Sequence, residues 1–383
     1  MQKLKYTVTF TTPAFLGDAE QTGQWRTPPF KALLRQWWRV AYAADHGFRV
    51  NVADMRREEG LLFGNAWLSH RQGNREVTDH SKSLVRLRLD RWTRPNIGNL
   101  PGTGVVCHPE VNRPGLQNCA GGAPGKLVDA GQYLGYGPFQ KPNAAIQAGE
   151  SAMFSLVWPE AFPDDLRKKL EESGAPDIYP EAIDARLSRA LWLMDRYGAL
   201  GGRSRNGWGS FSLTPVEDTP ALEGKSSLRD WKQCLDRDWP HAIGQDDQGR
   251  PLIWQTRAFD DWKALMRELA IVKIGLRTQF VFPNVAPPHA GIEPRHWLSY
   301  PITRHTTRAW DRGARLPNPL RFKVRKTKND KLVGVIFHMP HLPPAAFNPN
   351  RAAIERAWQQ VHALLDHLKY DPPRTYPMIP EVA

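Results

Sequence analysis

Gly198-Ala199-Leu200-Gly201-Gly202-Arg203-Ser204-Arg205-Asn206-Gly207-Trp208-Gly209-Ser210-Phe211 carries five glycines, two arginines and no acid. Glycine admits positive φ and close approach of another molecule. Successive backbone N–H groups in such a loop make a concave anion site, and arginine adds forked donors suited to phosphate. The stretch reads as a cradle for a polyanion. It is neither a dinucleotide fingerprint after a strand nor a P-loop, because it follows a helix and precedes a strand.

Upstream, Pro180 precedes a helix whose Ile183, Leu187, Leu191 and Met194 share one face. Gly198 is expected to stop it in the left-handed C′ position. Downstream, Trp208 to Leu213 reads as the strand that leaves the loop. Ala152 to Trp158 alternates as another strand, as does Leu84 to Trp92, with Leu87 and Leu89 against Arg86, Arg88 and Arg91. Between them, from Thr93 to Gly149, glycine and proline recur and periodicity is lost, the mark of a long functional or disordered insertion. Residues 45–83 are mixed, with an apolar turn-and-element at Leu61-Leu62-Phe63-Gly64-Asn65-Ala66-Trp67.

At the start, Leu4, Tyr6, Val8 and Phe10 alternate with Lys3, Lys5, Thr7 and Thr9, a half-buried strand. Thr27 is the expected N-cap of the next helix, with Pro28 in its first turn. Phe30, Leu33, Leu34, Trp37, Trp38, Ala41 and Tyr42 form a wide apolar face at helical period. Lys31, Arg35 and Arg39 form a basic stripe beside it, either a solvated face or a functional one. The order is strand, helix, strand, insertion, strand, helix, strand, the β-α-β-β-α-β sequence of a ferredoxin-like domain.

A changeover in composition near Pro215 divides the chain into 1–216, with its insertion at about 93–149, and 217–383. In the second part a helix is expected over Asp260–Leu269 and extended chain over Gly275–Phe282. Strands are expected at Leu320–Arg325 and Val333–Phe337, and a final helix from Asn350. The fold class is α+β: two ferredoxin-like (RRM-like) domains, the second degenerate.

The 383 residues carry a formal charge of +13 with 41% hydrophobic residues. That balance fits a soluble globular chain with an acidic partner, most often nucleic acid. No apolar run approaches the ~20 residues of a membrane span, and the N-terminus lacks a signal-peptide pattern. Three cysteines give no disulfide framework, which points to a reducing cytoplasm. Cys107, His108 and Cys119 lack the paired spacings of structural zinc, so neither metal nor cofactor is expected. The charge is concentrated. Tyr300 to Lys331 holds ten basic residues, including Arg304, Arg308, Arg321, Lys323 and Arg325, against two acids. This is the footprint of phosphate-backbone binding. Tyr300, His305, Trp310 and Phe322 are interleaved with it; they either stack on unpaired bases or, for Phe322 above all, belong to the core.

The loop Gly201-Gly202-Arg203-Ser204-Arg205-Asn206-Gly207-Trp208-Gly209-Ser210 resembles the signature loop of the RAMP superfamily of CRISPR-associated proteins. A second match is narrower. Thr12-Pro13-Ala14-Phe15-Leu16-Gly17 followed by Arg26-Thr27-Pro28-Pro29-Phe30-Lys31-Ala32-Leu33-Leu34-Arg35-Gln36-Trp37-Trp38-Arg39 resembles the N-terminus of first subunits of Cmr (type III-B) effector complexes. Leu62-Phe63-Gly64 and Leu316-Pro317-Asn318-Pro319-Leu320 fall where that family has related segments. Ala32 stands where glycine is commoner, and Gln36 where an apolar residue is. The resemblance implies a ferredoxin-like fold and a non-catalytic subunit of an RNA-guided interference complex. It would bind single-stranded guide RNA near its 3′ end, help admit target RNA, and contact the other subunits. On this reading the RNA-binding residues are 201–208 with Lys31, Arg35, Arg39, Arg304, His305, Arg308, Arg321, Lys323 and Arg325. The rival reading is a ribonuclease of the superfamily. It would be metal-dependent through Asp18 or Glu20 after the first strand, or use a general acid–base pair for which His305 is the best candidate. A purely structural subunit is the third.

Overall fold

The computed structural model describes residues 1–72, 75–91, 95–162, 164, 166–168 and 179–370. Trp92 and Thr93, where one expected strand ends and the insertion begins, lie outside them, as does 371–383.

The first sheet is built on β1 (Gln2–Phe10), whose alternating Tyr6, Val8 and Phe10 are buried as the pattern requires. The chain then passes through α1 (Thr27–Asp45) and α2 (Val52–Phe63), the hairpin of β2 (Asn65–Gln72) and β3 (Arg75–Ser81), and β4 (Arg86–Leu89). Within the insertion, β5 (Val105–His108) pairs with β6 (Lys126–Asp129), and α3 (Ala130–Gly135) follows. Then come β7 (Ser151–Trp158), α4 (Pro180–Tyr197) and β8 (Phe211–Pro215). The main sheet is antiparallel in the order β8-β1-β7-β4, with Phe10 opposite Phe211, Thr9 opposite Ser151 and Leu89 opposite Phe154. Counting only this sheet and the two long helices α1 and α4 that pack on one another, the chain runs β-α-β-β-α-β.

The second sheet holds β9 (Ile253–Phe259), β10 (Leu320–Lys326) and β11 (Leu332–His338) in the order β9-β11-β10. Helices α5 (Trp262–Thr278) and α6 (Arg351–Tyr370) accompany it. No fourth strand pairs with this sheet among the described residues, so the second unit runs β-α-β-β-α.

Several expectations change. Arg26 occupies the cap position of α1, with no side-chain cap bond, and Thr27 is its first residue. Residues 45–83 resolve into α2 and a hairpin. Gly198 is extended (φ −80°, ψ 144°). A Cβ there would lie 2.4 Å from the Met194 carbonyl oxygen and 3.0 Å from Leu33, so crowding, not handedness, calls for glycine. Trp208 stays in the loop, and the strand begins at Phe211. Helix α5 continues through Gly275 to Thr278, because Leu269, Ile274 and Leu276 keep its apolar face buried. In the insertion Cys107 and Cys119, both buried, are disulfide-bonded, contrary to the expectation of no disulfide framework; Cys234 is free and buried.

The two apolar cores interlock. Trp37 of α1 meets Phe337 of β11 at 6.4 Å between ring centroids. Phe15 and Trp208 join the core of the second sheet, where Trp208 meets Trp262 at 5.8 Å.

Histidines are buried in this second layer. His338 and His362 share a 2.9 Å bond between Nδ1 and Nε2 beneath Trp358. Burial holds His338 well below its ordinary pKa, and pushes His362 down to about 3 and His341 and His241 to about 4. These groups are neutral when folded and titrate near 6.5 when unfolded. Their contribution to stability is complete above pH ~6.5 and lost as pH falls toward the folded values. The urea midpoint is therefore expected to drop between pH 7 and pH 4.5, each histidine costing up to about 1.4 kcal/mol per pH unit. A flat urea profile over that range would contradict the assignment.

A cationic seam beside the glycine-rich loop

The loop between α4 and β8 is a knot of internal bonds. Leu200 N–H donates to Gly209 O at 2.9 Å, Gly202 N–H to Phe15 O at 2.9 Å, and Gly209 N–H to Pro13 O at 2.8 Å. Asn206 and Gly207 N–H donate to Arg203 and Ser204 carbonyls. Thr12 Oγ1 and Ser210 Oγ both donate to Gly207 O, at 2.7 and 2.8 Å. The expected cradle of glycine N–H groups is thus largely consumed within the protein. Two glycines serve close contact: a Cβ on Gly201 (φ +85°) would sit 2.4 Å from Phe15 O, and one on Gly209 (φ +66°) 1.9 Å from Leu200 O.

The second sheet holds the loop in place. Lys323 of β10 is fully buried, and its Nζ donates to Gly198 O and, at 2.6 Å, to Phe211 O, the two ends of the loop. Its ammonium lies 4.3 Å over the Phe211 ring, and burial pushes its pKa down to about 7. Phe322 N–H donates to Arg205 O at 3.0 Å and Val324 N–H to Ser210 Oγ at 2.9 Å.

These bonds re-sort the expected RNA contacts. Lys323 is a staple inside the fold, because its donors are spent on backbone carbonyls. Trp208, Gly207 and Arg321 are buried too. Trp208 packs on Phe15 and Phe139. Burial and nearby Arg205 push Arg321 down to about 9, and its Nε has no partner. Tyr300, Trp310 and Phe322 are core; Trp310 Nε1 donates to Phe347 O at 2.9 Å. Arg203, Arg205, Arg304 and Arg308 are exposed, and Ser204, Asn206, Arg325 and His305 half-buried. Arg203 adopts φ +57°, left-handed for a non-glycine, and its Nε donates to Tyr136 O of the insertion.

Facing Arg203 is a row of which the sequence reading named only His305. Lys273 and Arg277 stand one turn apart on α5. Lys273 Nζ bonds Asn206 Oδ1, while Asn206 Nδ2 donates to Leu134 O at 2.7 Å. Burial, then Arg277 and Arg203, holds the Lys273 ammonium well below its usual pKa. Arg277 Nε is buried without a partner. Beyond it, buried Arg295 takes both oxygens of Glu110 at 2.6 and 2.7 Å, and burial together with Arg277 lowers its pKa. His305 ends the row, stacked on Phe282 at 4.0 Å, its Nδ1 3.1 Å from His289 Nε2. Arg205, Asn206, Lys273 and Arg277 line a narrow cavity of about 10 Å³, room for about one water, walled by Leu276, Phe322 and Trp358, with no carboxylate in its wall among the described residues. The i, i+4 basic pair on α5 was a usable signal, hidden by the expected break at Gly275.

The stripe Lys31, Arg35 and Arg39 is elsewhere. Leu33, two residues from both Lys31 and Arg35, packs toward Gly198, and side chains two apart on a helix point about 160° from one another. Arg35 and Arg39 share the buried Glu59 at 2.8 Å each. Of the acids after β1, Asp18 Oδ1 caps its own turn by accepting from Thr22 N–H at 2.9 Å, and Glu20 is exposed. Among the described residues no three His, Cys, Asp or Glu side chains converge as metal ligands, and no helix is long and apolar enough to cross a membrane.

No curated protein matches the chain. Among solved structures, a chain of the type III-B Cmr-beta complex bound to cognate target RNA, determined by cryo-electron microscopy, aligns with a TM-score of 0.44 at 10% identity; the alignment covers 94% of this chain and 99% of that one. The family model of the RAMP superfamily matches residues 7–212, from β1 through the glycine-rich loop into β8. With more than half its length so matched, the chain belongs to the RAMP superfamily.

Proposed function

We propose that this chain is the non-catalytic RNA-binding subunit of a type III-B CRISPR RNA-guided interference complex, holding guide RNA near its 3′ end and helping to admit target RNA. The observation that carries the reading is the unneutralised row Arg203, Arg205, Lys273 and Arg277. Arg205, Lys273 and Arg277 line one narrow cavity with no carboxylate in its described wall, and Arg203 stands beside Lys273; these like charges repel one another, and a phosphodiester laid across them relieves that repulsion directly. A phosphate at Lys273 restores the charge that burial disfavours. We read 1–216 as a ferredoxin-like domain and 217–383 as a degenerate second one, so the seam is a groove between two units. Membership of the RAMP superfamily and the Thr12–Gly17 and Arg26–Arg39 motifs support placing it in this kind of complex, whose neighbouring subunits would cut.

Phosphate contacts position a strand without reading its sequence. Arg203→Ala, Arg205→Ala and Lys273→Ala are each expected to weaken single-stranded RNA binding by a similar factor for different sequences. Each should flatten the slope of log affinity against log salt by about 0.7 per lost contact. Unchanged affinity and slope in all three would remove the seam from the binding site. Asp18 is spent on its turn, so purified chain with single-stranded RNA and Mg²⁺ is expected to leave the RNA intact. Cleavage that disappears in Asp18→Ala would overturn the non-catalytic assignment.

Lys323 is expected to behave as a structural group. Lys323→Met leaves two buried carbonyls without donors, at about 1–3 kcal/mol each. The variant should melt well below the parent; a melting temperature within a degree of it would contradict the role.

A further inference from the structure

We propose a second RNA-binding groove, on the side of α1 turned away from the seam, that takes the phosphate backbone of a separate single-stranded segment. The groove is an open depression of about 530 Å³ between the first turns of α1 and the base of the β2–β3 hairpin, a size typical of ligand clefts. Lys31 and Arg35 supply its positive charge and Pro28 and Phe63 part of its apolar wall; Ser81 and Ser83 also line it, but their hydroxyls donate to backbone carbonyls, Ser81 to Gly60 and Ser83 to Leu62 or Val85. Among the described residues no carboxylate lines it.

The charge balance singles out Lys31. Arg35 and Arg39 share one carboxylate, Glu59, so the stripe keeps a surplus even before Lys31 is counted. Among the described residues Lys31 Nζ has only a long 3.4 Å contact with Ser83 Oγ, and burial with neighbouring Arg35 lowers its pKa. A half-buried ammonium beside a second cation and an apolar wall suits a phosphate with its sugar and base laid along the wall. Gly64 (φ +80°) keeps the wall open, since a Cβ there would press within 3.1 Å of the Ser83 backbone nitrogen. An acidic peptide is the competing occupant. The apolar wall, on which a base can lie, and the RNA-binding reading of the opposite face favour RNA.

The proposal rests on the RNA-binding reading above, and the test separates the two. Affinity for single-stranded RNA is measured for a short oligonucleotide of about six nucleotides and a long one of about thirty, with parent, Lys31→Glu, Lys31→Arg and the seam variant Arg203→Ala/Arg205→Ala. Thermal melts check folding. The long RNA, able to engage both grooves, is expected to lose about tenfold with Lys31→Glu, the factor corresponding to 1.4 kcal/mol, and to recover with Lys31→Arg. The seam variant should keep residual binding that Lys31→Glu then removes. A folded Lys31→Glu protein that binds both RNAs like the parent would overturn the groove while leaving the seam intact. Loss of binding to an acidic peptide with RNA binding unchanged would reassign it to protein. A parent chain that binds neither RNA would sink the underlying reading instead.

Discussion

One ammonium organises the loop. Lys323 enters from β10, carries its charge into a site with no solvent exposure, and spends its hydrogens on the carbonyls of Gly198 and Phe211. Those carbonyls lie where the chain enters and leaves the glycine-rich segment. Holding them fixes the width of the loop's base, and the strong cost of leaving buried polar groups unpaired makes that width hard to change. The glycines then act within a closed frame. Gly201 lets Phe15 press on the loop and Gly209 lets the loop fold against Leu200. What points outward is a short arc carrying Arg203, Ser204 and Arg205.

Function follows from what that frame presents. The seam is a line of like charges that the protein leaves uncompensated at its centre and compensates only at its far end, where Glu110 grips Arg295. Such an arrangement disfavours the empty state and gains from any polyanion that fits. The insertion takes part at both points: Leu134 and Tyr136 accept from Asn206 and Arg203, and Glu110 holds Arg295. Residues that look like a digression in the sequence thus form one bank of the cationic line.

The framework was legible in the sequence where periodicity was strong. Alternation in Lys3–Phe10 and Ala152–Trp158, and helical spacing in Phe30–Tyr42 and Ile183–Met194, named the sheet and its two helices. The loop's place between the last helix and last strand was legible as well. What failed did so for physical reasons. Lys323 and Arg321 alternate with apolar residues as solvent-facing cations do, yet the second sheet is covered on that face by the first unit, and Lys323 finds carbonyl partners there. Trp208 reads as the first residue of a strand, but tertiary packing on Phe15 and Trp262 holds it in the loop. Lys273 and Arg277 were invisible because Gly275 reads as a break, although packing carries α5 through it. The pairing of Cys107 with Cys119 depends on a turn that no local pattern announces.

The interlocked cores bear on how the chain is made. Synthesis runs from the N-terminus, and domains usually settle as they emerge. Here the first sheet and its helices can assemble once Phe211–Pro215 is available, but the loop cannot reach its final form then. Its stapling lysine is more than a hundred residues downstream, Trp208 has no Trp262 to rest on, and Trp37 lacks Phe337. The nascent chain must carry an unfinished glycine-rich loop and a bare aromatic surface until β10 and β11 leave the ribosome. The face that carries the cationic seam therefore matures late, and a truncated product lacking the second sheet presents the loop sequence without its shape.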